Sequence, residues 1–181
     1  MLEKRVLIAG LDDSNHGRYP EICLGCFSTI SSDKDKHRFN KRRDPTLAKD
    51  LLDPNRDYRF LLLSEQDCNP KDNNLVLAAP SLIIPVIESY STSFECLYIF
   101  IDGRLKKIDK ERLKETFRRY IRPEGVVIVE GNIKRYFNLP PSKIETYYNQ
   151  PYILGLADYI AHYLLTISDL QKHSKRVDFR R

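Results

Sequence analysis

Acidic residues directly follow three apolar segments of this 181-residue chain. Asp12 and Asp13 follow the first segment, Asp102 follows a later one, and Glu130 follows a third. If these segments are parallel strands of one sheet, their carboxyl ends meet at one edge and the acidic side chains emerge there together. Carboxylates held close together repel one another, and a bound Mg²⁺ or Mn²⁺ relieves the repulsion. Two such ions suit the attack of water on a phosphodiester bond.

Two further acids lie within apolar stretches that have the length of helices. Asp158 is part of LGLADYIAHYLL, and Glu88 is part of residues 75–90. A carboxylate in such a stretch is costly unless it is paired, hydrogen-bonded or bound to a metal. Both residues are therefore candidates for the same acidic site.

Three simpler interpretations of these acids stay open at this point. Asp12 and Asp13 can open a polar turn, and Asp158 can lie on the solvent face of a long helix. Asp102 and Gly103 also form a favoured hairpin turn, with residues 104–108 as the returning strand. A hairpin there would remove the parallel connection on which the shared sheet edge depends.

The predicted elements form an α/β domain. Strands are predicted at residues 5–11, 21–30, 58–63, 95–101 and 125–129, and helices at residues 75–90, 109–121 and 152–171. Three successive strands indicate an antiparallel meander, and the strand–helix–strand units that follow require parallel pairing. We therefore expect a mixed five-stranded sheet flanked by helices. The domain spans residues 1–171 with a charged insertion at about 31–56, and a loose basic tail follows at residues 172–181.

The net charge of +5 conceals an uneven distribution. Residues 34–43, 104–122 and 172–181 carry +5, +6 and +4, so the remainder of the chain carries −10. Basic segments beside an acidic body suit a nucleic-acid partner, because lysine and arginine bind phosphate. The candidate phosphate contacts are Lys41, Arg42, Arg43, Arg104, Lys106 and Lys107.

Several protein classes are excluded by what the sequence lacks. No apolar run is long enough to span a membrane, so no membrane partner is expected. Four cysteines without a secretion signal indicate a cytoplasmic protein. Cys23 and Cys26 lie in one apolar strand, where alternation places the two thiols on opposite faces. Phosphate-binding glycine loops and nucleophile-elbow motifs are missing as well.

The order of elements and the placement of the acids resemble the ribonuclease H-like superfamily. Residues 8–13 (IAGLDD) are similar to the Ala-Gly-Ile-Asp-Glu opening of type 2 ribonuclease H, and residues 99–103 (IFIDG) are similar to its second motif. Residues 12–15 (DDSN) and 157–161 (ADYIA) resemble the Asp-Glu-Ser-Gly and Ala-Asp-Leu-Ile-Ala motifs of uncharacterised ribonuclease H-like proteins. The Gly-Arg-Gly with which type 2 enzymes read an RNA–DNA junction is reduced here to a displaced Gly-Arg at residues 17–18.

The resemblance implies a site that binds two divalent metals, Mg²⁺ or Mn²⁺. It implies catalytic metal ligands at Asp12, Asp102 and Asp158. Position adds Asp13 and Glu130 to this set, and Glu88 corresponds to the acid in the superfamily's first helix. The auxiliary candidates are His162, Ser14 and His16, although a histidine on an apolar helix is more often a core residue.

Three functions are compatible with these residues. The first is a divalent-metal-dependent nuclease that hydrolyses phosphodiester bonds of RNA or DNA. The alternative is a noncatalytic nucleic-acid-binding or protein-interaction module on the same fold, which the altered Gly-Arg motif favours. A remoter third is an enzyme that uses the same acids on small phosphorylated substrates.

Overall fold

The computed structural model describes residues 6–14, 18–28, 58–68, 71–91, 93–131 and 150–180. Within these residues it contains five strands and three α-helices. The strands are β1 (Val6–Ser14), β2 (Glu21–Ser28), β3 (Tyr58–Leu63), β4 (Cys96–Asp102) and β5 (Val126–Gly131). The helices are α1 (Asn74–Ser89), α2 (Lys107–Phe117) and α3 (Gln150–Leu164). Each matches a predicted element in type and order, whereas the predicted insertion at 31–56 lies outside the described residues.

The five strands form one mixed sheet in the order β3-β2-β1-β4-β5. β1 and β3 pair antiparallel with β2, while β4 pairs parallel with both β1 and β5. This arrangement confirms the predicted mixed sheet. It also excludes the hairpin at Asp102 and Gly103, because β4 leads into α2 rather than into a returning strand. Gly103 makes this turn with a φ of +95°, a conformation that favours glycine.

Helices cover both faces of the sheet, and the strands alternate their side chains between them. Leu11 and Cys23 pack on the face covered by α1 and α2, together with Leu113 of α2. Cys26 and Phe100 pack on the face covered by α3. The prediction that the two cysteine side chains lie on opposite faces is therefore confirmed.

Helix α1 runs unbroken through two prolines. It begins at Asn74, where the side chain of the preceding Asn73 accepts a hydrogen bond from the backbone N–H of Val76 at 3.2 Å. This cap defines a helix start one residue before the predicted residue 75. In the part of the chain that the structure describes, neither this helix nor any other has the length and apolar character needed to cross a membrane.

The C-terminal segment is ordered against the sheet as far as residue 180, so the prediction of a loose tail at residues 172–181 was wrong for the part that the structure describes. The backbone of Phe60 in β3 donates to Lys175 at 3.1 Å and accepts from Val177 at 2.8 Å. Further on, the hydroxyl oxygen of Ser81 accepts from the backbone N–H of Arg180 at 2.9 Å. The segment shields the outer edge of β3, which would otherwise present unpaired backbone groups. The chain turns into this segment because α3 ends at Leu164 rather than at the predicted residue 171.

Candidate functional site

Strand β1 extends beyond its predicted end at residue 11 and includes the two acids Asp12 and Asp13. Asp12 pairs with Leu24 and Asp13 pairs with Cys23 of β2, so neither acid opens a turn. Successive residues of a strand point to opposite faces. The two carboxylates are therefore separated by the sheet, and of these two only Asp12 lies on the face covered by α3.

Asp12 and Asp102 lie side by side on the face covered by α3. The parallel register pairs Gly10 with Phe100 and Leu11 with Ile101, so Asp12 and Asp102 come next on adjacent strands. Asp12 is 4% exposed, whereas Asp102 is half-buried at the end of β4. The structure thus places Asp12 and Asp102 together at one end of the sheet, as predicted.

Helix α3 brings Asp158 to the same place. It packs mainly on β1 and β2, and it approaches β1 closely at Gly10. A Cβ atom at Gly10 would lie 2.6 Å from the backbone oxygen of Ile153. Asp158 is half-buried, with its Oδ2 atom shielded from solvent, rather than on the outer face of the helix. A glycine whose function the sequence analysis missed therefore sets how near the third acid lies to the first.

Replacing Gly10 with alanine should separate this helix from the sheet. The added methyl group would overlap backbone atoms of Ile153, and we expect a loss of about 1–3 kcal/mol in the free energy of unfolding. Gly131→Ala is the matched control, because its Cβ would come within 3 Å only of a side-chain methyl group of Leu154 and not of backbone atoms, so its loss should be smaller. Urea denaturation of both variants measures the difference. Equal stabilities would contradict the close approach of α3 to β1.

The electrostatics of Asp12 show that these carboxylates influence one another. The pKa of Asp12 is raised from 3.8 to about 9, first by burial and then by the negative charges of Asp158, Asp13 and Asp102. A hydrogen bond from the backbone of Asp13 opposes the shift. Burial and then the charge of Asp12 also raise the pKa of the Cys26 thiol, which lies on the same face. The site is thus a mutually repelling cluster of acids around one buried carboxyl group.

The chemistry of this cluster suits a hard divalent cation. Its donors are carboxylate oxygens, which Mg²⁺ and Mn²⁺ prefer, and a cation would relieve the repulsion centred on Asp12. Among the described residues, however, no three His, Cys, Asp or Glu side chains are arranged as a formed metal site. The ligand roles of Asp12, Asp102 and Asp158 stay predictions that the donor chemistry supports.

Asp13 and Glu130 lie on the other face of the sheet. The side chain of Asp13 is near Cys23, whose thiol pKa is raised first by burial and then by the charge of Asp13. Glu130 accepts hydrogen bonds from the backbone N–H of Leu105 at 2.6 Å and from Lys110 Nζ at 3.0 Å. The structure therefore does not bring Glu130 to the three aspartates.

Glu88 is far from the cluster. The first residue of α1, Asn74, donates a hydrogen bond to Glu21 beside the acidic edge, which is the end of the sheet where Asp12 and Asp102 lie. Glu88 lies 14 residues further along the helix. That distance corresponds to about 21 Å. Glu88 is exposed and accepts a hydrogen bond from the Tyr120 hydroxyl at 3.0 Å. The predicted metal ligand in the first helix is thus at the opposite end of the sheet.

The remaining predicted residues divide into four groups. Ser14 is buried two residues beyond Asp12, on the same face of β1. His162 is exposed in the last turn of α3, so its interpretation as a core histidine was wrong. The predicted phosphate contacts that follow β4 are exposed beside the acidic edge. The remaining predicted site residues lie outside the described residues. The exposed bases are Arg104, Lys106 and Lys107, and the residues outside the description are His16, Lys41, Arg42 and Arg43.

The sequence analysis also missed Glu21, a buried acid at the start of β2. Glu21 is 3% exposed and accepts a hydrogen bond from Asn74. It connects β2 to the start of α1 and so helps to place the helix layer behind the acidic edge. The available signal was its position immediately before an apolar strand, which does not distinguish a buried acid from an exposed one.

Comparison with solved structures identifies a ribonuclease H-like fold. The chain is similar to Bst-RNase HIII in complex with Mn²⁺, with a TM-score of 0.53 and 16% identity over 91% of this chain and 53% of that one. It is also similar to a chain of the PCNA:RNase HII complex from Archaeoglobus fulgidus, with a TM-score of 0.52 and 15% identity over 87% of this chain and 72% of that one. The chain spans about half the length of the RNase HIII chain that it matches. No family model and no curated protein matches the sequence.

Proposed function

We propose that this chain, whose fold is ribonuclease H-like, is a divalent-metal-dependent nuclease that hydrolyses phosphodiester bonds of RNA or DNA. One observation carries the proposal: the buried carboxyl group of Asp12 has Asp102 and Asp158 as neighbours on one face of the sheet edge. A cluster of repelling carboxylates lowers the stability of the metal-free protein, so its presence favours a functional role. The similarity to an RNase HIII solved with Mn²⁺ supports the choice of metal chemistry.

In this proposal the three aspartates hold Mg²⁺ or Mn²⁺ through their carboxylate oxygens. When bound, such ions lower the pKa of an attacking water and stabilise the leaving oxygen. The fold of the chain fixes the positions of these carboxylates. Asp12 is fixed because β1 is paired on both sides, and Asp158 is fixed because Gly10 allows α3 to lie against β1.

The exposed bases after β4 supply the contacts to the substrate backbone. Arg104, Lys106 and Lys107 follow Asp102 within five residues, so they lie beside the acidic cluster. Contacts of this kind position a nucleic acid and carry no sequence information. We therefore propose a nuclease that binds with strong salt dependence and little sequence preference.

The proposal is tested by incubating the purified protein with labelled RNA, DNA and RNA–DNA hybrid. We expect cleavage with Mg²⁺ or Mn²⁺, and loss of cleavage when a chelator removes the metal. Competition by unlabelled oligonucleotides but not by mononucleotides would exclude an enzyme of small phosphorylated substrates.

Salt-sensitive binding without cleavage under either metal would contradict the nuclease and favour the noncatalytic module. One observation already favours that alternative: the described residues contain no formed group of three metal ligands. The cleavage assay therefore decides between the two functions, whereas a binding assay alone would not.

A further inference from the structure

Glu130 connects three parts of the chain at the acidic edge. Its Oε1 atom accepts a hydrogen bond from the backbone N–H of Leu105 at 2.6 Å, and Lys110 Nζ lies 3.0 Å from the same atom. Leu105 belongs to the turn between β4 and α2, whereas Lys110 belongs to α2. The pKa of Glu130 is lowered first by the Leu105 hydrogen bond and then by Lys110, with Arg104 adding a smaller effect. One carboxylate at the end of β5 thus joins the turn and the helix to the sheet.

The turn whose Leu105 backbone donates to Glu130 contains the basic residues that are proposed to contact the substrate. It begins at Gly103, whose backbone N–H donates to Gly131 at 3.0 Å, and it leads into α2 at Lys107. The side chain of Leu105 is buried, so the turn has apolar and polar anchors within three residues. Arg104 and Lys106 lie on either side of Leu105, and their backbone positions follow from that anchor.

We infer that Glu130 is a positioning residue that sets the basic turn at residues 103–107 against the acidic edge, so that phosphates bound by the turn are in register with the aspartate cluster. The inference rests on the proposed nuclease function. It replaces the metal-ligand role that the sequence predicted for Glu130, because the side chain lies on the face opposite Asp12 and is occupied by Leu105 and Lys110. Asp102 depends less on Glu130, because β4 holds it within the sheet.

The test compares three variants of the full chain. Glu130→Ala removes both contacts, whereas Glu130→Gln keeps an acceptor for Leu105 and loses the charge that attracts Lys110. Glu124→Ala is the matched control, because it removes an exposed carboxylate at the other end of β5. Steady-state cleavage separates KM from kcat, a metal titration gives the half-saturating Mn²⁺ concentration, and amide hydrogen exchange reports on Leu105 without requiring activity.

A positioning role predicts a distinct pattern. We expect Glu130→Ala to raise KM about three- to tenfold, with kcat and the Mn²⁺ half-saturation changed less than about twofold. Glu130→Gln should be intermediate, and Glu124→Ala should match the wild type. The Leu105 amide should exchange faster in Glu130→Ala than in the control.

Two results would overturn the inference. A fall in kcat with a higher Mn²⁺ requirement, equal in the alanine and glutamine variants, would show a metal ligand instead. Unchanged exchange at Leu105 in Glu130→Ala would show that the turn does not depend on this carboxylate. If the wild-type protein cleaves nothing, the nuclease proposal fails, and hydrogen exchange together with nucleic-acid affinity still decides whether Glu130 sets the basic turn.

Discussion

Asp12→Asn and Asp102→Asn should each lower metal-dependent cleavage more than about 100-fold, because the loss of residues that merely support a metal ligand typically costs about 10- to 100-fold. Asparagine has the shape of a protonated aspartic acid but lacks the negative charge that attracts a divalent cation. The substitutions should therefore remove catalysis while the fold and the salt-sensitive binding of nucleic acid persist. Single-turnover cleavage with Mg²⁺ or Mn²⁺ measures the loss, and filter binding measures the affinity.

Asp158→Asn should behave in the same way, and Glu88→Gln provides the matched control. Glu88 is an acid on a helix at the opposite end of the sheet, so its replacement should leave cleavage unchanged. Full activity in either the Asp12 or the Asp102 variant would rule out this carboxylate cluster as the active site. A large loss in the Glu88 variant would show that the arrangement of the sheet ends described above is incorrect.

Asp12→Asn should also stabilise the metal-free protein at neutral and alkaline pH. The pKa of Asp12 is raised from 3.8 to about 9, so the folded protein retains a proton that the unfolded chain releases above its ordinary pKa. The wild type should lose stability as the pH rises from 3.8 toward 9, and should keep it at lower pH. A shift of one pKa unit corresponds to about 1.4 kcal/mol, so the interval from 3.8 to pH 8 sets an upper bound of about 6 kcal/mol on the gain of the asparagine variant, and we expect a gain above roughly 2 kcal/mol.

Denaturation in a chelator at several pH values measures this gain. The difference between variant and wild type should vanish below pH 4, where the carboxyl group is protonated in both states. Mn²⁺ should raise the stability of the wild type more than that of the variant, because a ligand stabilises the state that binds it. A difference that is independent of pH would show that Asp12 is not the buried, proton-retaining group.

Much of the fold could be predicted from local patterns. Apolar runs located all five strands and, by their length, the helices α1 and α3, whereas an amphipathic stripe located α2, because these patterns reflect local backbone geometry. The same local information was sufficient to separate Cys23 from Cys26 across the sheet. The ends of elements were harder to predict. Pairing with β2 carries β1 through Asp12 and Asp13 into Ser14, and α3 ends at Leu164 rather than at residue 171.

The composition of the acidic cluster depended on contacts between distant parts of the chain. Asp12, Asp102 and Asp158 were predicted from their types and positions, and parallel pairing with the close approach at Gly10 brings them to one face. Glu130 follows a parallel strand just as Asp102 does, but alternation along β5 turns it toward α2, where Lys110 neutralises it.

The sequence by itself determined which elements form and which acids are available, because periodicity and composition act over a few residues. The tertiary structure decided which of those acids meet. A strand alternates its faces at every residue, so a role at one edge depends on register as well as on position. The length of α1 likewise places Glu88 at the opposite end of the sheet. The C-terminal segment, whose charged composition predicted a loose tail, is ordered because its backbone pairs with the outer edge of β3.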